Sequence, residues 1–345
     1  MKPVVASRLR IAIGMLLLAF IVGAPHALAV SDPHVPLGRS DIFAPDSFWY
    51  TPIPVDAPLN PHSAQLVAEF LRQKKAYYGT VNINTTAYAS PVYVVGANTP
   101  TVRVTEWDAQ KKGYLDKGLA EQWRAVPIPN YAEPADGTDK EMTIYQPSTD
   151  RLWEFWLTRK VGGQWQACWG GEMQHVSKSS GIWTRPYGTT ATGLPFLGGE
   201  ITPEELKRGE IRHVMGIALV DTERWNVFSW PANRSDGYNP KNEPNRIPEG
   251  LRFRLDPNID VDALNLNPVA KTIANAAQKY GFVVWDKAGA ITLRAINPKS
   301  YTAAGKPDPY PALFKGIPTW AILKNFPWDK LQFLPFDYGK PGGKT

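Results

Sequence analysis

Hydrophobic positions recur at helical spacing in only a few stretches, and elsewhere they alternate with polar residues or gather in short β-branched blocks. After Asn60 and Pro61, the residues Leu66, Val67, Phe70 and Leu71 fall on one face. This predicts a helix capped by Asn60 and finished by Gly79. Asn267 and Pro268 open a second helix, whose stripe is Val269, Ile273, Ala276, Ala277 and Tyr280 and whose stop is Gly281. Thr202-Pro203-Glu204-Glu205 is a capping box, in which Thr and Glu satisfy each other's helix-end donors. The polar connection 111–124 spaces Leu115, Leu119 and Trp123 for one further helix.

The rest reads as strands. Val81, Ile83 and Thr85, then Val92, Val94 and Val95, then Val102 and Val104 are separated by Pro91, Gly96 and Pro100. The best pairing signal follows Met142–Tyr145: the alternating aromatic runs 151–160 and 165–171 flank Val161-Gly162-Gly163-Gln164. Gly-Gly between such runs predicts a hairpin. Its register sets Trp156 opposite Trp169 and Glu154 opposite Gly171, with Trp153, Phe155, Leu157 and Cys168 on the core face. Further strands are expected at 211–220, 225–230 and 251–255, the last with one wet face, and a closing hairpin joins 282–285 to 291–296. The fold class expected is mostly β: one β-sandwich or jelly-roll-like domain with two or three peripheral helices. It occupies 62–300, between a Pro-rich arm at 30–61 and a wrapping tail at 301–345.

Composition and charge narrow the setting. Lys2, Arg8 and Arg10 precede the apolar run 11–23 and the small-x-small site Ala27-Leu28-Ala29, an export signal expected to be cleaved before Val30. That run is too short to span a bilayer, so no stable membrane insertion is expected after cleavage. The remaining 316 residues suffice for a sizeable core. They carry 35 basic against 32 acidic residues, a net +3, with no long Lys/Arg run. Nucleic acid is therefore not an expected partner. The lone Cys168 forms no internal disulfide and reads as a buried structural residue.

Phosphate-cradling loops, nucleophile elbows and paired metal-ligand motifs are absent, and His34, His62, His175 and His213 are scattered. Neither a metal nor another cofactor is expected. Hydrolysis of a glycan needs two carboxylates flanking the scissile bond. Glu154 and Glu172 are the candidate pair, provided that a bulge at Gly170-Gly171 turns Glu172 onto the face of Glu154. Trp156 and Trp169 would offer sugar rings a flat surface. His213 is the candidate for proton transfer, and Arg234 and Asp236, on a turn beside Trp230, are candidates for binding sugar hydroxyls or a uronic carboxylate. Each has a bland alternative: aromatic core filling, a satisfied buried carboxylate, a core histidine bonded to a backbone carbonyl, and ordinary turn residues.

The chain resembles a family of exported actinobacterial proteins with relatives among the minor tail proteins of tailed phages. The resemblance rests on Thr51-Pro52-Ile53-Pro54, Tyr78–Thr86, Tyr145–Asp150 with Trp153-Glu154-Phe155-Trp156, and Trp169-Gly170-Gly171. It continues through Ala191–Gly199, Ile211-Arg212-His213, Ser229-Trp230-Pro231-Ala232 and Ile247-Pro248-Glu249-Gly250. Relatives tend to carry a histidine where this chain has Glu141. The resemblance implies action at a bacterial envelope and names no reaction. The function expected is a secreted or cell-surface protein that cleaves or binds polysaccharide in an aromatic groove. The alternative is a non-enzymatic structural or adhesive surface protein.

Overall fold

A computed structural model describes residues 42–342. The predicted export signal and cleavage site lie outside the described residues. Six strands build the largest sheet, in the order β1 (Asn82–Asn84), β12 (Thr292–Arg294), β9 (Met215–Leu219), β11 (Phe282–Lys287), β10 (Arg252–Leu255), β13 (Leu331–Phe333). A second sheet runs β2 (Val92–Val94), β4 (Met142–Gln146), β5 (Arg151–Trp156), β8 (Trp169–Gln174). A small third one runs β3 (Val104–Glu106), β7 (Gln164–Ala167), β6 (Arg159–Val161). The main helical segments are α1 (Ser63–Ala76), α2 (Lys117–Gln122), α3 (Phe196–Gly199), α4 (Pro203–Arg208) and α5 (Pro268–Lys279). Among the described residues the expectation of a mostly β chain with few helices holds, the strands being spread over several sheets and none of these closing into a barrel; helix takes 21% and strand 20% of the residues.

Three apolar clusters separate these layers. One face of the six-stranded sheet, with Ile217, Phe253, Phe282 and Leu293, is covered by Leu66 and Phe70 of α1 and by Val269, Ile273 and Ala277 of α5. Its other face, with Ala218, Val283 and Trp285, shares a cluster with Val92, Val94, Leu152 and Met173 of the four-stranded sheet and with Trp49 of the arm. The far face of the four-stranded sheet buries Tyr93, Ile144, Trp153 and Phe155 against Leu119 and Trp123.

Several local expectations hold. Thr202 and Glu205 form the capping box of α4, and the Asn267 side chain caps α5. The β5–β8 register pairs Trp156 with Trp169 and Glu154 with Gly171, and the turn side continues it as Arg159 with Gln166. Four expectations are corrected. The first helix starts at Ser63 with His62 at its cap, while Asn60 instead accepts the His62 amide. Residues 225–230 form turns rather than a strand. The runs 282–287 and 292–294 do not pair with each other, because β9 is inserted between them, parallel to β11 and antiparallel to β12.

Finally, β10 has no wet face. Arg254 donates to the carbonyls of Pro54 and Val55 at 2.6 and 2.8 Å and to Gln332 on β13, while Arg252 sits among the Phe48 and Tyr338 rings. The arm and the chain after residue 330 cover these guanidinium groups, supplying carbonyls and aromatic faces in place of water.

Trp285 fills the space between the two larger sheets because glycines give it room. A Cβ on Gly216 would lie 2.3 Å from its ring, and one on Gly199 2.6 Å. Gly216→Ala should therefore lower stability by about 1–3 kcal/mol through overpacking. Gly289→Ala, at a position with no neighbour within 4 Å, should leave the urea midpoint nearly unchanged.

Candidate functional site

Alternation along β5 places Leu152, Glu154 and Trp156 on the face turned toward the six-stranded sheet. Glu154 is fully buried there. Its Oε2 accepts the Thr189 hydroxyl at 2.7 Å and the Trp183 indole N–H at 3.3 Å, and its Oε1 accepts the Leu197 amide at 3.2 Å. Burial pushes its pKa up to about 7, against these donors, which favour the ionised form. The expected groove is closed at this carboxylate. Gly171, its strand partner, lies beneath the loop that follows β8: an added Cβ would meet Tyr187 Cβ at 2.9 Å.

Glu172 does not join Glu154. The β5–β8 register runs from Arg151 to Trp156 without a bulge and pairs Glu172 with Trp153, so the two carboxylates point to opposite faces. The Glu172 side chain is ion-paired with Arg151 at 3.0 Å, and it lines a polar hollow of about 450 Å³ with Gln122, His175 and Lys178. The pair needed for hydrolysis is therefore not assembled.

The other candidates act as fasteners. His213 is fully buried; its Nδ1 donates to the Val214 carbonyl at 2.8 Å, and its Nε2 faces Glu205 at 3.2 Å. This is the core histidine of the bland alternative. Arg234 spends its donors on five backbone carbonyls: Ala191, Pro186, Tyr187, Gly188 and Thr190. Desolvation lowers its pKa to about 10. With all five N–H groups engaged, it has none left for a ligand. Asp236 is exposed and lies 3.6 Å from Lys287.

Trp156 and Trp169 remain half-buried at the open end of the ribbon. Trp169 stacks on Tyr187 with ring centroids 6.1 Å apart and planes 26° from parallel. This is the part of the expected site that meets solvent.

A second buried polar network was not visible in the sequence. Arg294 on β12 approaches Asp286 on β11 at 3.0 Å and Glu141, just before β4, at 3.6 Å. It thereby links the two larger sheets. Glu141 is raised to about 7 and Asp286 to about 6, both chiefly by burial, with Arg294 opposing. Glu249, whose Oε2 accepts the Asp236 amide, is raised to about 8 by burial and by the Asp236 charge. Glu141 and Arg294 are almost fully buried, which makes the network a cross-link closed to any large substrate. Among the described residues, no group of three or more His, Cys, Asp or Glu side chains is arranged to hold a metal ion. No helix there is long and apolar enough to cross a membrane.

Two tests follow from these buried groups. Glu141, Glu154, Glu249 and Asp286 hold protons in the native state at pH values where the unfolded chain, titrating near 4, has released them. Their contribution is therefore present in full at and below about pH 4 and is lost as pH rises through 6 to 8. The urea midpoint should fall from pH 5 to pH 8, and Glu154→Gln should flatten that fall. Arg234→Lys cannot reproduce the five-carbonyl clamp; a loss of about 3 kcal/mol and faster proteolysis within 185–191 are expected.

No family model, curated protein or solved structure matches this chain.

Proposed function

We propose that this is an exported protein of the bacterial envelope that binds polysaccharide at an aromatic face without cleaving it. The observation that carries this reading is the half-buried pair Trp156 and Trp169, held opposite each other by the β5–β8 register and extended by the Tyr187 ring. Flat ring faces held by a sheet give sugar rings area to cover at little conformational cost. Binding rather than hydrolysis is favoured because Glu154 is sealed and Glu172 faces the other way. In this reading the four- and six-stranded sheets act as a sandwich-like body that presents the patch. The likeness to phage tail proteins, which meet cell-wall polymers, supports the envelope as its setting.

The second reading is a structural or adhesive surface protein, favoured by the use of His213 and Arg234 as internal fasteners. Affinity electrophoresis of the mature protein against envelope polysaccharides separates the two. Retardation by at least one polymer is expected, with Trp156→Ala/Trp169→Ala weakening it about tenfold, or ~1.4 kcal/mol, while the far-UV spectrum stays unchanged. No new reducing ends should form. Reducing ends that disappear in Glu154→Gln would restore the hydrolase, and retardation by no polymer would leave the scaffold.

A further inference from the structure

Beside the aromatic pair, the loop leading from β3 to α2 folds around its own carboxylates. Asp108 accepts the amides of Lys112 and Gly113, both at 2.7 Å, and these bonds hold its pKa below the usual range. Glu106 accepts the Asp116 amide, and Asp116 caps α2 and receives the Tyr187 hydroxyl at 3.3 Å. With its acids engaged in this way, the loop turns Lys111, Lys112 and Lys117 to solvent.

Three of the cations here sit on aromatic rings, one of them Lys160, whose Nζ lies 5.1 Å from the Trp165 centroid. Lys112 Nζ lies 4.9 Å from the Trp169 centroid, and the Arg159 guanidinium lies 3.5 Å from that of Trp107. Trp107 donates its backbone amide to Ala167 and its indole N–H to Leu157, so it occupies the same end of the ribbon as Trp156 and Trp169. Among the described residues, neither Lys112 nor Arg159 has a carboxylate within 4.0 Å. Segments 103–117 and 159–167 together hold six Lys/Arg against three Asp/Glu. This leaves the two segments with an excess of three basic residues.

We propose that the polymer bound at this face is a polyanionic glycan, one bearing carboxylate or phosphate groups along its backbone. The inference rests on the binding function proposed above and names the ligand's chemistry. A neutral sugar chain would have to displace ammonium and guanidinium groups already seated on the rings and would give them nothing in return. An anionic chain lays its rings on the indoles and its charges on the same cations, as exposed cation–π contacts are weak enough to rearrange. Such binding is steered by charge and weakens as salt shortens the range of the field.

The test measures affinity of the mature full chain for polygalacturonate, for a phosphodiester-linked poly(N-acetylglucosamine 1-phosphate) wall polymer and for neutral xylan, at about 50 and about 500 mM salt. The two polyanions distinguish a carboxylate from a phosphate source. At least one of them should bind more tightly than xylan and lose affinity at least tenfold at the higher salt. Lys112→Glu/Arg159→Glu should reduce that binding at least tenfold, whereas Lys241→Glu/Lys324→Glu, an equal charge change on exposed residues elsewhere, should alter it less than twofold. Xylan bound as tightly as the polyanions, without salt dependence, overturns the polyanion inference and leaves glycan binding standing. Equal losses in both charge-reversed variants, with the tryptophan variants unaffected, also overturn it, because attraction would then be to the surface at large. Binding to none of the polymers, or to any further envelope polysaccharide, removes both readings.

Discussion

A carboxylate stripped of water must be met by donors, and those that meet Glu154 come from three points on one long loop: the Trp183 indole, the Thr189 hydroxyl and the Leu197 amide. That loop runs between the two larger sheets and carries α3 into their shared cluster. It is held from its other side by Arg234, whose guanidinium collects carbonyls between residues 186 and 191. Thr192, within the same stretch, donates to the Trp285 carbonyl at 2.7 Å. An acid on one flank and a base on the other thus fix a segment that has little regular structure of its own. The aromatic face depends on this arrangement, because the ring that stacks on Trp169 belongs to the fastened loop.

The same economy recurs across the molecule. Residues that look chemical in the sequence satisfy backbone or one another: His213 with Glu205 and Val214, Arg254 with the arm, Arg294 with Asp286 and Glu141. Buried ionic groups of this kind add little net stability over apolar packing, but they are strongly unfavourable once a partner is removed. They enforce which surfaces meet. Under the proposed binding function a partner would meet the periphery of the ribbon, where half-covered indoles and the cations seated on them lie outside the fastened interior.

The β5–β8 ribbon was legible because its information is local: two glycines at a turn, aromatic alternation on both sides and a register that follows from the turn alone. The capping box of α4 and the Asn cap of α5 were legible for the same reason. Pairings that depend on distant segments were not. Nothing between residues 282 and 296 shows that β9 inserts there, since two apolar runs separated by Lys-Ala-Gly read most simply as neighbours. The Arg-Phe-Arg alternation of β10 looks half-wet until the arm and the later chain are seen to cover it. Of the expected site, the facing tryptophans were legible. The sealing of Glu154 was not, because it is imposed by a loop more than 25 residues further on, and Asp286 and Arg294 were hidden within runs that otherwise read as apolar strand.

The placement of β1 beside β12 carries a consequence of its own. Asn82 and Thr292 are 210 positions apart, yet they lie side by side in parallel register. The stretch 85–214 between β1 and β9, which includes the entire aromatic ribbon, is therefore an excursion from that sheet, and β1 cannot take its place beside β12 until the excursion has been traversed. Long closures of this kind slow folding and make it all-or-none in character. The ribbon and its indoles are thus an insertion in kinetic terms, hung between two strands of a frame that closes only after they have been made.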